Sequence, residues 1–186
     1  MGTDMAYVRK ILYALIVFLL FWEEGFCDEG RFLKSKSANP NLFAVGMGVY
    51  DVLRYNHRYV TGLLQFEYKG PDFFGERLLK IRPFASLMVN FQGSLWFGGG
   101  VNFDIFMGDS FVTTLGFGPG FFYQGKGKDL GYPLEMRSSI EFAYRFPSHA
   151  RLGLQFYHLS NASLSTRRNP GTECLVFFYA FPLSYP

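Results

Sequence analysis

Over most of the chain, hydrophobic and polar positions alternate with a period of two. The segment EMRSSIEFAYRF, residues 135–146, shows this most clearly. Glu135, Arg137, Ser139, Glu141 and Arg145 share one face, and Met136, Ile140, Phe142, Tyr144 and Phe146 share the other. Successive side chains of an extended strand point to opposite sides, so this pattern predicts a strand with one polar and one apolar face. Similar runs separated by turn residues predict strands at 42–53, 59–69, 79–90, 94–107, 110–123, 135–147, 150–160 and 173–183. No helical periodicity intervenes, so the strands are expected to form an antiparallel meander of hairpins.

Eight strands joined in this way predict a closed barrel, and the alternation separates two kinds. In a soluble, lipocalin-like barrel the apolar face turns inward around a ligand. Here that face carries large aromatic side chains on strand after strand, more than the narrow interior of an eight-stranded barrel holds. The expected fold is therefore all-β, an eight-stranded antiparallel outer-membrane β-barrel with aromatics facing lipid and a polar, packed lumen. Its ends would lie on the periplasmic side. MGDS (107–110) and PSHA (147–150) then become short periplasmic turns, and YQGKGKDLGYP (123–133) and NASLSTRRNPGT (161–172) become longer outer loops. KGPDFFGER (69–77) is too long for a periplasmic turn and has no place in this scheme.

Composition sharpens the picture. The 186 residues include 23 Phe and 12 Tyr, and the charged fraction of 18% is below the roughly 25% usual in soluble domains. The net charge of +3 comes without a basic stripe interleaved with stacking residues, which argues against a nucleic-acid partner. Arg9 and Lys10 precede the apolar run ILYALIVFLLFW, which is short for a spanning helix. A secretory signal over residues 1–27 is expected, with the barrel over 28–186. If Cys27 leaves with the signal, Cys174 has no intrachain partner.

The chemistry lies in the run 150–160 and the polar loop after it. Arg151, Gly153, Gln155 and Tyr157 share one face of that strand, and Leu152, Leu154, Phe156, His158 and Ser160 share the other. His158 and Ser160 would thus sit on the lipid-facing wall near its outer rim, with Glu173 opening the next strand beside them. A serine, a base and a carboxylate on one surface are the parts of an acyl-transfer site. A lipid-facing nucleophile suits a lipid substrate. The alternative for the same residues is a solvated strand end. His57 and His149 fall in turns without such company, and no His/Cys/Asp cluster has metal-ligand spacing. The glycines of GFGPGFF and GGG read as strand-packing residues and not as a nucleotide loop.

The stretch HLSNASLSTRRNPGTE, residues 158–173, resembles the signature of the lipid A 3-O-deacylases, the PagL family. That pattern is His-x-Ser-Asn, a short polar loop, then Asn-x-Gly-x-Glu. His158, Ser160, Asn161, Asn169, Gly171 and Glu173 match it. The resemblance implies an outer-membrane barrel that hydrolyses the 3-linked acyl ester of lipid A without a metal or cofactor. Ser160 would be the nucleophile, His158 the base and Glu173 the orienting acid. Asn161, with a backbone N–H near Ala162 or Ser163, would form the oxyanion hole. Many members have glycine where this chain has Ser163, which puts the backbone donor in question.

Leu154 and Phe156, below Ser160 on the same face, are expected to line the acyl groove. Arg54, Arg58, Lys126, Lys128, Arg167 and Arg168 fall in predicted outer loops, where cations pair with lipid A phosphates or simply meet solvent. The expected partners are lipid A or lipopolysaccharide and the outer membrane, with a homodimer as a candidate assembly. Two competing readings are a non-catalytic small barrel, adhesive or structural, and an outer-membrane esterase acting on phospholipid.

Overall fold

The computed structural model describes residues 39–53, 57–75, 78–164 and 168–183. The expected signal segment, Arg54 and Arg167 lie outside the described residues. The strands are β1 (Leu42–Tyr50), β2 (Thr61–Lys69), β3 (Phe74–Gly75), β4 (Leu79–Asn90), β5 (Leu95–Met107), β6 (Phe111–Tyr123), β7 (Leu134–Arg145), β8 (Arg151–Ser160) and β9 (Thr172–Pro182). They pair in the order β2-β1-β9-β8-β7-β6-β5-β4-β3, and a further β2–β4 pairing closes the sheet into a barrel of eight long strands. Every pairing is antiparallel.

β3 accounts for the segment that had no place in the predicted topology. β2 pairs with β4 as far as Lys69↔Phe84. The Gly70 N–H then donates to Pro83 O at 2.8 Å and the Phe73 N–H to Ile81 O at 3.0 Å. Pairing resumes at Phe74↔Ile81 and Gly75↔Lys80. Between the two ladders, residues 70–73 stand opposite only 82 and 83, so two extra residues are accommodated in a bulge. Pro83 has no N–H to offer there, and a Cβ on Gly70 would sit 2.8 Å from the Pro83 ring. The stretch is therefore β2 continued along β4 past a bulge, pinned by the Asp72–Lys80 ion pair at 3.1 Å.

The faces fall as the alternation requires. Phe142 and Tyr144 are exposed on the outer wall, and Tyr144 packs edge-on against Phe111 and Phe146. Glu135, Arg137, Glu141 and Arg145 are buried inside. This excludes the lipocalin-like arrangement with the aromatic face inward. The lumen is more mixed than the expected polar packing, since Phe84, Trp96, Phe106 and Phe178 also point into it. They are compatible with charge because guanidinium groups lie over aromatic rings. Arg137 Cζ is 4.9 Å from the Phe84 ring centroid and 5.0 Å from that of Tyr157.

Ion pairs link strands across the lumen. Lys69 Nζ meets Glu141 at 2.6 Å and Glu67 at 3.8 Å, and Arg137 reaches Glu67 at 2.5 Å. Asp104 takes Arg151 at 2.7 Å, Arg82 at 3.8 Å and the Thr114 hydroxyl at 2.7 Å. A buried charge that lost such partners would cost several kcal/mol, roughly 3–5, so the network favours one register of the barrel.

Candidate active site

The site forms where β8 and β9 reach the end of the barrel that carries the loops 51–60, 124–133 and 161–171. On β8, Leu154 is exposed on the outer wall and Leu152, Phe156, His158 and Ser160 are partly exposed, while Arg151, Gln155, Tyr157 and Leu159 are buried inside. The β8–β9 register sets His158 directly opposite Glu173. Cross-strand neighbours on one face stand close enough for side chains to touch, and His158 Nδ1 lies 3.1 Å from Glu173 Oε1. With the carboxylate accepting Nδ1–H, Nε2 is left as the proton acceptor. The imidazole is 42% exposed and the Glu173 carboxylate 18%. The imidazole is thus open to the outside while the carboxylate beside it is more sheltered.

Gly171 directs the other edge of the ring. It lies two residues before Glu173 along the same register, at the height of Ser160. A Cβ there would lie 2.7 Å from His158 Cε1 and 3.2 Å from Nε2. Its φ of +57° is also one that glycine adopts without strain. The missing side chain leaves the space that Cε1 and Nε2 fill, and so brings the basic nitrogen toward the row that holds Ser160.

Ser160 stands two residues beyond His158 on the same face, about 7 Å away along the strand. Among the described residues its hydroxyl has no hydrogen-bond partner, and the His158–Ser160 contact is not closed. Catalytic hydrogen bonds are often long without substrate and tighten in the complex.

The loop beyond Ser160 is held by Asn161, which is fully buried. Its Nδ2 donates to Leu130 O at 3.2 Å and Arg168 O at 3.0 Å, and its Oδ1 accepts the Ser163 N–H at 3.0 Å. The Asn161 N–H donates to Asn169 Oδ1 at 3.1 Å. Ala162 and Ser163 both have positive φ, +50° and +63°, and the Leu164 N–H closes the turn on Asn161 O at 2.9 Å. Two left-handed residues in succession make a type I′ turn, which costs L-residues about 1–2 kcal/mol each. The Asn161 brace offsets that cost and explains how a serine replaces glycine at 163. Both carboxamide N–H groups are already donated within this frame. The Ala162 N–H makes no hydrogen bond among the described residues.

Three residues the sequence did not single out complete the surroundings. Asp51 and Thr172 are buried beneath the site, and Ser138 on β7 faces His158 from the side opposite Glu173. Only the GTE triplet, with Thr172 beside Glu173, hinted at any of them. The loop cations divide. Lys128 is buried against Asp51 at 2.6 Å, and Arg168 pairs with Asp129 at the surface. Arg58 is exposed over the Tyr59 ring, and Lys126 is exposed.

A sequence model of the family described as lipid A 3-O-deacylase (PagL) matches residues 90–182, half of the chain. Among solved structures, the chain is similar to the crystal structure of the outer membrane enzyme PagL, with a TM-score of 0.63 and 19% identity over 76% of this chain and 99% of that one. It also matches a de novo designed transmembrane β-barrel (TM-score 0.48, 9% identity, 81% of this chain and 100% of that one). A third match is the Yersinia pestis outer membrane protein Ail (TM-score 0.44, 8% identity, 76% and 99%). No curated protein matches the chain.

Proposed function

The chain belongs to the PagL family of lipid A 3-O-deacylases, and from that premise we propose that it is an outer-membrane esterase that cuts the 3-linked acyl chain of lipid A with Ser160, His158 and Glu173. The observation that carries the reading is the 3.1 Å His158–Glu173 contact on the lipid-facing wall, with Ser160 next on the same face. A carboxylate–imidazole pair on a lipid-facing wall is costly to keep there, and polar groups kept in such places usually mark a functional site.

On this reading the steps are those of a serine hydrolase. The Ser160 hydroxyl rotates toward Nε2, which takes its proton as Oγ attacks the ester carbonyl. Negative charge gathers on the carbonyl oxygen. The proposed backbone donor to that oxygen is the Ala162 N–H, in the turn that Asn161 braces. The bond to the sugar 3-oxygen breaks, and that oxygen takes the proton from Nε2. A water, deprotonated by His158, then attacks the acyl carbonyl; the Ser160 Oγ–acyl bond breaks, Oγ takes the proton back from Nε2, and the chain leaves as a fatty acid. Glu173 stabilises the imidazolium at each stage. The acyl chain lies along the wall below Ser160, over Phe156 and Leu154, and the headgroup meets Arg58, Lys126 and Arg168.

The test is mass spectrometry of lipid A from cells expressing the wild type or Ser160→Ala. The wild type should remove the 3-linked chain. The variant should lose activity by about a thousandfold or more while the barrel still folds. Wild-type turnover by the variant refutes the nucleophile, and release of fatty acid from phospholipid alone refutes the substrate.

A further inference from the structure

Glu173 and Gly171 are the two supports of the imidazole, and Thr172 lies between them. Its side chain points the other way, into the barrel, and is fully buried. Its Oγ1 donates to Asp51 Oδ1 at 3.0 Å. The same Asp51 oxygen accepts from Lys128 Nζ at 2.6 Å. The Val52 N–H donates to Glu173 O at 3.0 Å. Three chain segments, the loops after β1 and β6 and the start of β9, therefore converge under the catalytic row.

Asp51 reaches this position by breaking the alternation. Val45, Met47 and Val49 face outward on β1, and the β1–β9 register of Val49↔Leu175 sets position 51 opposite Glu173. An unbroken strand would thus place the Asp51 carboxylate on the outer wall beside that of Glu173. Like charges side by side would pull Glu173 off His158. Instead Asp51 takes a φ of +59°, and its side chain is 1% exposed inside the barrel. Such a conformation is costly for a residue other than glycine and persists where its surroundings hold it. Here Lys128 and Thr172 hold it.

We propose that the Asp51–Lys128–Thr172 cluster is a positioning clamp for the catalytic base. It fixes Thr172 from below, so that Gly171 and Glu173 on either side keep the imidazole at the height of Ser160. The proposal rests on the catalytic reading of Ser160, His158 and Glu173. It concerns residues that touch neither substrate nor reacting atoms.

The decisive variants are Thr172→Val, which keeps the shape and removes only the hydroxyl, Thr172→Ser, which restores it, and Asp51→Ala. Each is refolded in detergent and assayed on purified lipopolysaccharide, with turnover normalised to the folded fraction from heat-modifiable gel migration. Thr172→Val and Asp51→Ala should lower kcat by about ten- to a hundredfold with KM within about twofold of wild type. Thr172→Ser should recover most of the loss. If both lesions leave kcat within about twofold of wild type, or if Thr172→Ser is as slow as Thr172→Val, the clamp is refuted. Should Asp51→Ala fail to fold, the two Thr172 variants decide alone. Ser160→Ala is run alongside. Full activity in that variant sinks the catalytic reading itself, a result distinct from normal activity in the clamp variants.

Discussion

Inside the barrel, Lys69 has two carboxylate partners and Asp104 has two guanidinium groups and a hydroxyl. On the outer wall above Phe156, His158 meets one carboxylate, and the Ser160 hydroxyl meets nothing among the described residues. The same strand, β8, serves both regions, with Arg151 and Gln155 on its inner face and His158 and Ser160 on its outer face. The difference separates two uses of polarity. Lys69 and Asp104 are hubs that tie several strands together across the lumen, which makes them register keys for the barrel. On the wall, the Ser160 hydroxyl has no partner among the described residues and the His158 ring is partly exposed, which leaves bonding capacity for a ligand at the surface.

The comparison can be broken from the inside first. Lys69→Met leaves Glu141 and Glu67 buried with one cation fewer, and should lower barrel stability by about 3–5 kcal/mol in urea unfolding from detergent. Turnover per folded barrel should be unchanged. A loss of turnover with stability intact would mean that lumen and wall are not separate. Gly171→Ala makes the converse test. The added Cβ pushes Cε1 and Nε2 of His158 off the Ser160 row, and activity should fall by about a hundredfold while unfolding shifts much less. Normal turnover in this variant would show that the imidazole works from another position.

Smaller effects sharpen the contrast. Enlarging or shrinking Leu154 or Phe156 should change which acyl chains are released, by at most about 1 kcal/mol per methylene. Gln155 substitutions on the inner face should act only through stability. Product analysis that finds the reverse would mean that the acyl chain does not lie on the wall. The smallest effect belongs to His149 in the turn between β7 and β8. Burial, then the nearby Arg145 and Arg151 charges, hold its pKa below the usual 6.5. The neutral ring accepts a hydrogen bond from Arg145. The unfolded chain therefore binds the proton first. The stability from His149 is complete above about pH 6.5 and is lost as pH falls through the depressed folded value. Thermal melts of the wild type should drop over that range more than those of His149→Asn. An identical pH slope in the two would remove the assignment.

Much of this was legible in the sequence because a period of two is a strong signal. Seven of the eight predicted strands agree with the structure to within two residues at each end, and the facing of His158, Ser160, Leu154 and Phe156 follows from counting. The exception is β1, where alternation continues to residue 53 but the strand ends at Tyr50. The reason is a backbone torsion at Asp51 that no hydropathy pattern records. Lys128 read as a loop cation because its sequence neighbours are polar, yet its partner lies 77 residues away. Asn161 read as part of the reaction, and its bonds to Leu130 and Arg168 are as invisible in the sequence as the bulge at 70–73.

The Thr172–Asp51 hydrogen bond joins residues 121 positions apart. The His158–Glu173 pair belongs to the last hairpin and can form early. Its support from Asp51 requires β1 to zip onto β9, from Leu42↔Pro182 to Tyr50↔Cys174. That is the seam that joins the first strand to the last, and pairing so distant in sequence carries a large loop-closure cost that is met late in folding. A chain still in transit would carry the hairpin without its footing. If the clamp acts as proposed, hydrolytic competence coincides with closure of the β1–β9 seam, and a chain not yet closed into a barrel spares the lipids it meets, without any inhibitor.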